Sequence, residues 1–319
     1  MKKLKAAALL CLLCLLTAGC SKEENVKNKT VTLTYQKNKY EGQYTGLMKN
    51  GKPTEGTFSY KKGTDYLSYK GKLSGGKMSG KGTLKTNLMK PYFLGTACTG
   101  TYKGSVSDGK ASGNGSFEFL TPKDLKGSVY KGNWHANMAN GRGRIDFPEK
   151  EGGGAIIGSF DTGYFDPSKL DCYETVGTLV GSSYKVSSKA ASFIKNNPDL
   201  FMAKDENDLA LYADSSLNYA DVLKNPASFG DKIMKFSSYP VLNSSLGEEL
   251  FGEKFSFILL GRPSENTYIY VICLKSVKNV EINSNQTVYG LPLASSVYET
   301  KSGKKLKVLV LAGSFLKHE

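Results

Sequence analysis

A pattern, Tyr-x-Gly-x-Φ-x-x-Gly-x-x-x-Gly-x-Gly-x-Φ, recurs along the first half of the chain and sets what it can fold into. Tyr69 to Leu84 meets it at every defined position, with Gly71, Gly76, Gly80 and Gly82 in register. Tyr102 to Phe117 meets it again through Gly104, Val106, Gly109, Gly113 and Gly115. Tyr130 to Ile145 keeps Gly132, Trp134, Gly141 and Gly143, with Asn137 at a turn position that Asn tolerates. Tyr44 to Phe58 is a looser copy, shortened by one residue. A fifth copy, Ile156 to Gly163, keeps the first half and is expected to finish at Gly177-Thr178-Leu179. Strand alternation puts Tyr69, Gly71 and Leu73 on one face and Lys70 and Lys72 on the other. Gly80, Gly82 and Leu84 are expected to return on the tyrosine face, where missing side chains leave room for the ring. The central glycine makes the turn. One hairpin alone is marginal, so the copies must stack and be capped, with Val31–Tyr35 as the opening strand.

This pattern resembles the MORN repeat over about residues 30–180. The resemblance implies a mainly β fold: stacked β-hairpins in one elongated single-layer sheet. MORN proteins mostly act in assembly and membrane association, so it also implies a binding or scaffolding role. Choline-binding wall repeats are similarly rich in glycine and aromatics but need a tryptophan in nearly every copy, and Trp134 is alone here.

The N-terminus speaks to location. Lys2, Lys3 and Lys5 precede an apolar run from Ala6 to Leu16, too short to span a bilayer, where ~20 residues are needed. It reads as a secretory signal over residues 1–19. Thr17-Ala18-Gly19-Cys20 resembles the lipobox of bacterial lipoproteins, with Thr17 where Leu is usual. That resemblance implies diacylation of Cys20, and two acyl chains give stable anchoring. Glu23 and Glu24 resemble the surface-export signal of some Gram-negative lipoproteins. Residues 20–30 carry no large hydrophobe and are expected to be a flexible tether. Of the six cysteines, only Cys98, Cys172 and Cys273 remain beyond the lipid site, which argues against a disulfide framework.

Beyond the repeat domain (residues 31–180), a helical connector is expected over 181–215, with a serine-capped helix ahead of Pro198. Short strands at Phe255–Leu260, Tyr268–Leu274, Gln286–Tyr289 and Lys305–Leu311 suggest a small β-barrel over 216–319. Asn225-Pro226…Gly230, Thr287–Gly290 and Gly303–Val308 are similar to OB-like domains of bacterial lipoproteins.

No catalytic constellation emerges, and neither a metal nor a cofactor is implied. Two histidines, His135 and His318, cannot make a multi-histidine site, and neither sits in a catalytic spacing. Asp161-Thr162-Gly163 matches the aspartic-protease core, but that chemistry needs two such carboxylates, and the segment falls at a repeat turn. Charge is the remaining signal. The chain carries +14; residues 21–180 hold +9 of it and residues 181–319 only +2. Lys70, Lys103 and Lys131 occupy the same repeat position, joined by Lys72, Lys81, Arg142 and Arg144 on the face away from the tyrosines. Equivalent lysines two strands apart should lie ~10 Å from each other, about one Debye length, so their fields add. Such a stripe is either an ordinary solvated face or a site for an extended envelope polyanion or anionic lipid.

The sequence thus describes a non-enzymatic, lipid-anchored extracytoplasmic protein that binds or scaffolds at the cell envelope. Its partner is the membrane through the lipid, with another envelope protein or an anionic envelope polymer. Nucleic acid is excluded by the secretory signal.

Overall fold

Hairpin tips fix the first half of the molecule. The computed structural model describes residues 22–179, 184–250 and 253–319, so the leader 1–19 and Cys20 lie outside the described residues. Strands β1 (Glu23–Tyr35), β2 (Asn38–Lys49), β3 (Lys52–Lys62), β4 (Asp65–Ser74) and β5 (Lys77–Thr86) follow one another through two-residue turns. A small hairpin, β6 (Tyr92–Phe93) with β7 (Thr96–Ala97), interrupts the series. It resumes with β8 (Thr99–Ser107), β9 (Lys110–Thr121), β10 (Val129–His135), β11 (Met138–Asp146), β12 (Ala155–Asp161) and β13 (Tyr164–Asp166). At the repeat tips both residues have positive φ: Gly75 and Gly76 at 58° and 74°, Asp108 and Gly109 at 49° and 77°, Ala136 and Asn137 at 50° and 75°. That is the turn whose twist matches a hairpin's own, and the central glycine supplies it as expected. Asn137 does more than tolerate the position. Its side-chain oxygen accepts from the Ala111 N–H of the preceding tip at 2.7 Å, and its own N–H donates to the Ala111 carbonyl at 3.0 Å.

All strands of the repeat half except β6 and β7 form one eleven-stranded antiparallel sheet in chain order. Its register aligns nine glycines in an unbroken row: Gly46, Gly56, Gly71, Gly82, Gly104, Gly115, Gly132, Gly143 and Gly158. Beside it runs a large-residue row in which Tyr44, Phe58, Tyr69, Tyr102, Phe117 and Tyr130 are fully buried. Each repeat tyrosine lies over the glycine row and donates its hydroxyl to a carbonyl three residues on: Tyr44 to Leu47 at 2.7 Å, Tyr69 to Lys72 at 3.1 Å, Tyr102 to Ser105 at 2.6 Å and Tyr130 to Asn133 at 2.9 Å. Burial pushes the Tyr102 phenol up to about 12.

Two expectations are corrected here. Gly80, with Gly113 and Gly141 at equivalent positions, does not return to the tyrosine face. The pairing slips beside each of them, φ is +66°, +68° and +90°, and an added Cβ would point at Lys72, Ser105 and Asn133. Residues 23–30 are no tether: they belong to β1, paired with β2 through a bulge between Val26 and Lys29. Their polar side chains report solvation, whereas the backbone finds partners on β2. The tyrosine face is covered in part by a residue from outside the repeats. Phe93, from the interrupting hairpin, is fully buried against Phe117, Phe119, Tyr130, Trp134 and Phe160.

The far edge of the sheet is closed by helix α1 (Lys169–Leu179). Gly177-Thr178-Leu179, expected to complete the fifth repeat as a strand, is its last turn. Thr175 and Thr178 each accept from and donate to the edge backbone, at Ile157 (3.0 and 3.1 Å) and Ala155 (2.8 and 2.6 Å). Two threonines at i and i+3 on one helix face therefore stand in for the missing strand, which protects an edge that would otherwise template pairing. Replacing both with valine keeps the shape and strands these buried backbone groups. It should cost roughly 2–4 kcal/mol, read as a lowered thermal midpoint.

The other side of α1 faces the C-terminal half. There β14 (Ala213–Asp214), β15 (Ile233–Leu250), β16 (Glu253–Arg262), β17 (Thr267–Cys273), β18 (Asn285–Glu299) and β19 (Lys305–His318) run in the order β14-β15-β16-β17-β19-β18. β18 pairs back onto β15, closing the barrel, and β17 runs parallel to β19. Ile258, Leu260, Val271, Leu309 and Leu311 share one core, and Phe255, Leu259, Ile272, Val308 and Val310 a second. Leu170, Cys172, Tyr173 and Val176 of α1, with Ile194 of α2 (Ser188–Asn196), cover that second face. Burial on both faces is why these strands read as continuous apolar runs. The segment expected as a connector over 181–215 is thus partly built into the barrel, since Ala213–Asp214 pairs in parallel with β15. A short helix α3 (Tyr219–Lys224) precedes β15, held by Asn218 as N-cap. Cys98, Cys172 and Cys273 are buried free thiols, pushed up by burial to about 11, 12 and 12.

Candidate functional site

Since alternation buries the tyrosines, the same register must expose what lies between them. The cross-strand row Thr45, Thr57, Lys70, Thr83, Lys103, Ser116, Lys131, Arg144 and Ile157 runs between the tyrosine and glycine rows, on the opposite face. Lys70, Lys103 and Lys131 sit on alternate strands of it, ~10 Å apart by strand spacing. Beside Lys103 and Lys131 the sheet surface is shallowly hollowed, with Lys70 outside the hollow. An open trough of about 950 Å³ is walled by Lys81, Lys103 and Lys131 with Thr83, Ser105, Asn114 and Ser116. Its floor is the backbone of Gly82, Gly104, Gly115 and Gly132.

The structure sorts the seven candidate cations into two groups. At one end they are already partnered. Arg142 reaches α1, pairing with Asp171 and with Glu174 at 3.2 Å. Arg144 and Lys131 share Asp146, Lys131 at 3.1 Å. Burial raises the Asp146 carboxyl, but hydrogen bonds from Arg144 and Lys131 outweigh it and hold the group below its ordinary range. Arg142 therefore ties the sheet to its capping helix, a role that no local spacing could reveal with Asp171 twenty-nine residues away. At the other end, Lys70, Lys72, Lys81 and Lys103 make no ion pair among the described residues. Glu55 stands across from Lys72 in the register without closing to a salt bridge.

Ammonium groups at even spacing over a floor without side chains can hold an extended anion, with hydroxyls and an amide between them to bind its neutral parts. The trough is lined by lysines, hydroxyls and one amide, with no carboxylate or imidazole among its lining residues. No cluster of three or more His, Cys, Asp or Glu with metal-ligand geometry occurs among the described residues. Asp161-Thr162-Gly163 is the β12–β13 tip, with Thr162 at 47° and Gly163 at 89°. His135 is exposed at the end of β10. His318 meets Gln286 at 3.1 Å.

The family model for the MORN repeat matches residues 69–86, 102–119 and 130–150. The chain therefore contains three MORN repeats, and the looser hairpins β2–β3 and β12–β13 extend their rows on either side. The MORN repeat is generally a non-catalytic module, in keeping with a binding or scaffolding role. No curated protein matches the chain.

Proposed function

We infer that this protein is a lipid-anchored, non-enzymatic binding or scaffolding protein of the bacterial envelope, and that the repeat sheet is its binding surface. The observation that carries the reading is the lysine trough, a broad, shallow hollow built from the repeats' own register. The anchor rests on the apolar leader ending in Thr17-Ala18-Gly19-Cys20. A second reading, that the ligand is an anionic envelope polymer or lipid surface, is favoured by Lys81 and Lys103 in the trough and Lys70 and Lys72 beyond it, which make no ion pair among the described residues. The barrel is read as OB-like, supported by a closed ring of five strands, β15-β16-β17-β19-β18, in which β17–β19 is the parallel pair and to which β14 adds at β15.

Two measurements test these readings. Cys20→Ala should move the protein from the membrane fraction to the soluble fraction; a variant still retained after salt and alkali washing overturns the anchor. Purified protein should bind anionic vesicles or teichoic-type polymer with an affinity that falls steeply between low and high salt. Binding that ignores salt leaves the scaffold reading without its polyanion.

A further inference from the structure

The barrel carries a second concavity, unrelated to the repeats. Asn243, Ser244 and Ser245 of β15, Phe257 of β16, Tyr270 of β17 and Tyr298 of β18 line a cleft of about 330 Å³, with Lys301 at its rim. It lies on the outer face of the barrel, continuing the apolar surface that α1 and α2 cover. Phe257, Tyr270 and Tyr298 are half-buried there, so their rings are partly presented to the cleft.

The rings form an ordered set. Phe255, Phe257 and Tyr270 are nearly parallel, with interplanar angles of 5° and 9° and centroids 6.1 and 6.4 Å apart, and Tyr298 tilts against Tyr270 at 41° and 5.6 Å. These spacings fall in the range of direct ring contact, about 4.5–7 Å. No slot is left for another flat ring to slide between them, so a ligand must lie against the outside of the array.

Beside the rings are groups that both donate and accept. Asn243 Nδ2 donates to the Tyr298 hydroxyl at 2.8 Å, and Asn243 Oδ1 accepts from the Ser244 N–H at 3.0 Å. One amide proton of Asn243 and the Tyr298 hydroxyl proton remain for a ligand. Ser245 adds a hydroxyl bonded to Glu248, so Lys301 and Glu248 set opposite charges beside the cleft.

We propose that this cleft binds a sugar ring of a glycan. The weakly positive C–H face of a pyranose lies well on the negative face of an aromatic ring. Hydroxyls that donate and accept match the amide, the phenol and the serines. The volume falls at the small end of ligand pockets, about 300–1,000 Å³, suited to one or two rings. Nucleic acid fits less well, because single-strand sites pair base stacking with a continuous positive groove, and here one lysine is offset by one glutamate.

The test is ligand-observed NMR on the full chain in detergent, with chitotriose and a galacturonate trimer as probes and AMP as the competing class. A saccharide should show saturable contact with aromatic protons. Asn243→Ala and Tyr270→Ala should each weaken it at least tenfold. Ser245→Trp fills the exposed mouth without touching the core, so it should abolish binding while leaving the melting midpoint in place. The triple reversal of Lys70, Lys103 and Lys131 should leave binding of the neutral chitotriose unchanged, which separates this site from the trough. Failure of both saccharides to bind, preference for AMP, or binding that survives Ser245→Trp overturns the proposal.

Discussion

Gly82→Val and Gly115→Val should each lower the melting midpoint of the repeat sheet by roughly 10 °C. A Cβ at Gly82 would sit 2.5 Å from Cε2 and 2.6 Å from Cζ of Tyr69, and one at Gly115 would sit 2.5 Å from Cε2 and 2.7 Å from Cζ of Tyr102. These are atoms of a fully buried ring, not the free end of a flexible chain. To make room the tyrosine must leave the glycine row and surrender its hydrogen bond to the carbonyl of Lys72 or Ser105. Overpacking costs ~1–3 kcal/mol, and the stranded carbonyl adds ~1–3 kcal/mol. About 3 kcal/mol or more per variant, at ~2–4 °C per kcal/mol for a domain of this size, gives the shift. Ser74→Val is the control: Ser74 is exposed at the end of β4, and such a change moves stability by ~0.5 kcal/mol at most. Gly80→Ala should fall between them, at about 1 kcal/mol, because its left-handed φ is strained while its surroundings are open. Equal midpoints for Gly82→Val and Ser74→Val in circular dichroism would refute the ring-over-glycine packing.

What could be read from the sequence follows from how locally each feature is encoded. The hairpins were legible because their signals are close together: tyrosine and glycine two residues apart, turn glycines at fixed offsets. The lysine row was legible for the same reason, being the complement of the tyrosine row. Gly80 was misplaced because a register slip is invisible to strict alternation; the bulge opposite Lys72 turns Gly80 away while Met78, Gly82 and Leu84 keep the tyrosine face. Phe93 was overlooked because a lone aromatic in an unpatterned stretch carries no periodicity, although it packs against five aromatics of the later repeats. Thr175 and Thr178 act at a distance, and a strand ending and a short helix look alike in a Gly-Thr-Leu stretch. The barrel strands showed their middles but not their ends. Phe255–Leu260 is apolar because both faces are buried, whereas Asn243–Leu250 and Ser295–Glu299 extend into solvent with polar side chains. The aromatic cleft was missed outright, since Phe257, Tyr270 and Tyr298 lie on three strands and meet only when the barrel closes.

Reversing charge at Lys70, Lys103 and Lys131 together should spare folding and strip the sheet of affinity for anionic surfaces. All three are exposed on the face away from Tyr69, Tyr102 and Tyr130, so no core contact is lost. Lys131→Glu also breaks the pair with Asp146 and sets two carboxylates together, but Arg144 still bridges Asp146, which limits the cost to about 1 kcal/mol. Each lysine near an anionic surface contributes ~1 kcal/mol, so losing three attractions is roughly a hundredfold in affinity, and the added repulsion deepens it. The lysines lie about a Debye length apart, so the loss should exceed the sum of the single variants at low salt and vanish at high salt. The control must be chosen with care. Lys275 is unsuitable: its ammonium is half-buried and donates to the carbonyls of Ala203 and Ser314 at 2.9 and 3.2 Å. Lys254, Lys304 and Lys307, exposed on the barrel, carry the same charge change without structural duty. If vesicles of acidic lipid and teichoic-type polymer bind both triple variants as they bind the parent, the lysines only keep the sheet soluble. A loss confined to the repeat variant, graded with salt, makes the register of the MORN hairpins itself the device that spaces the charges.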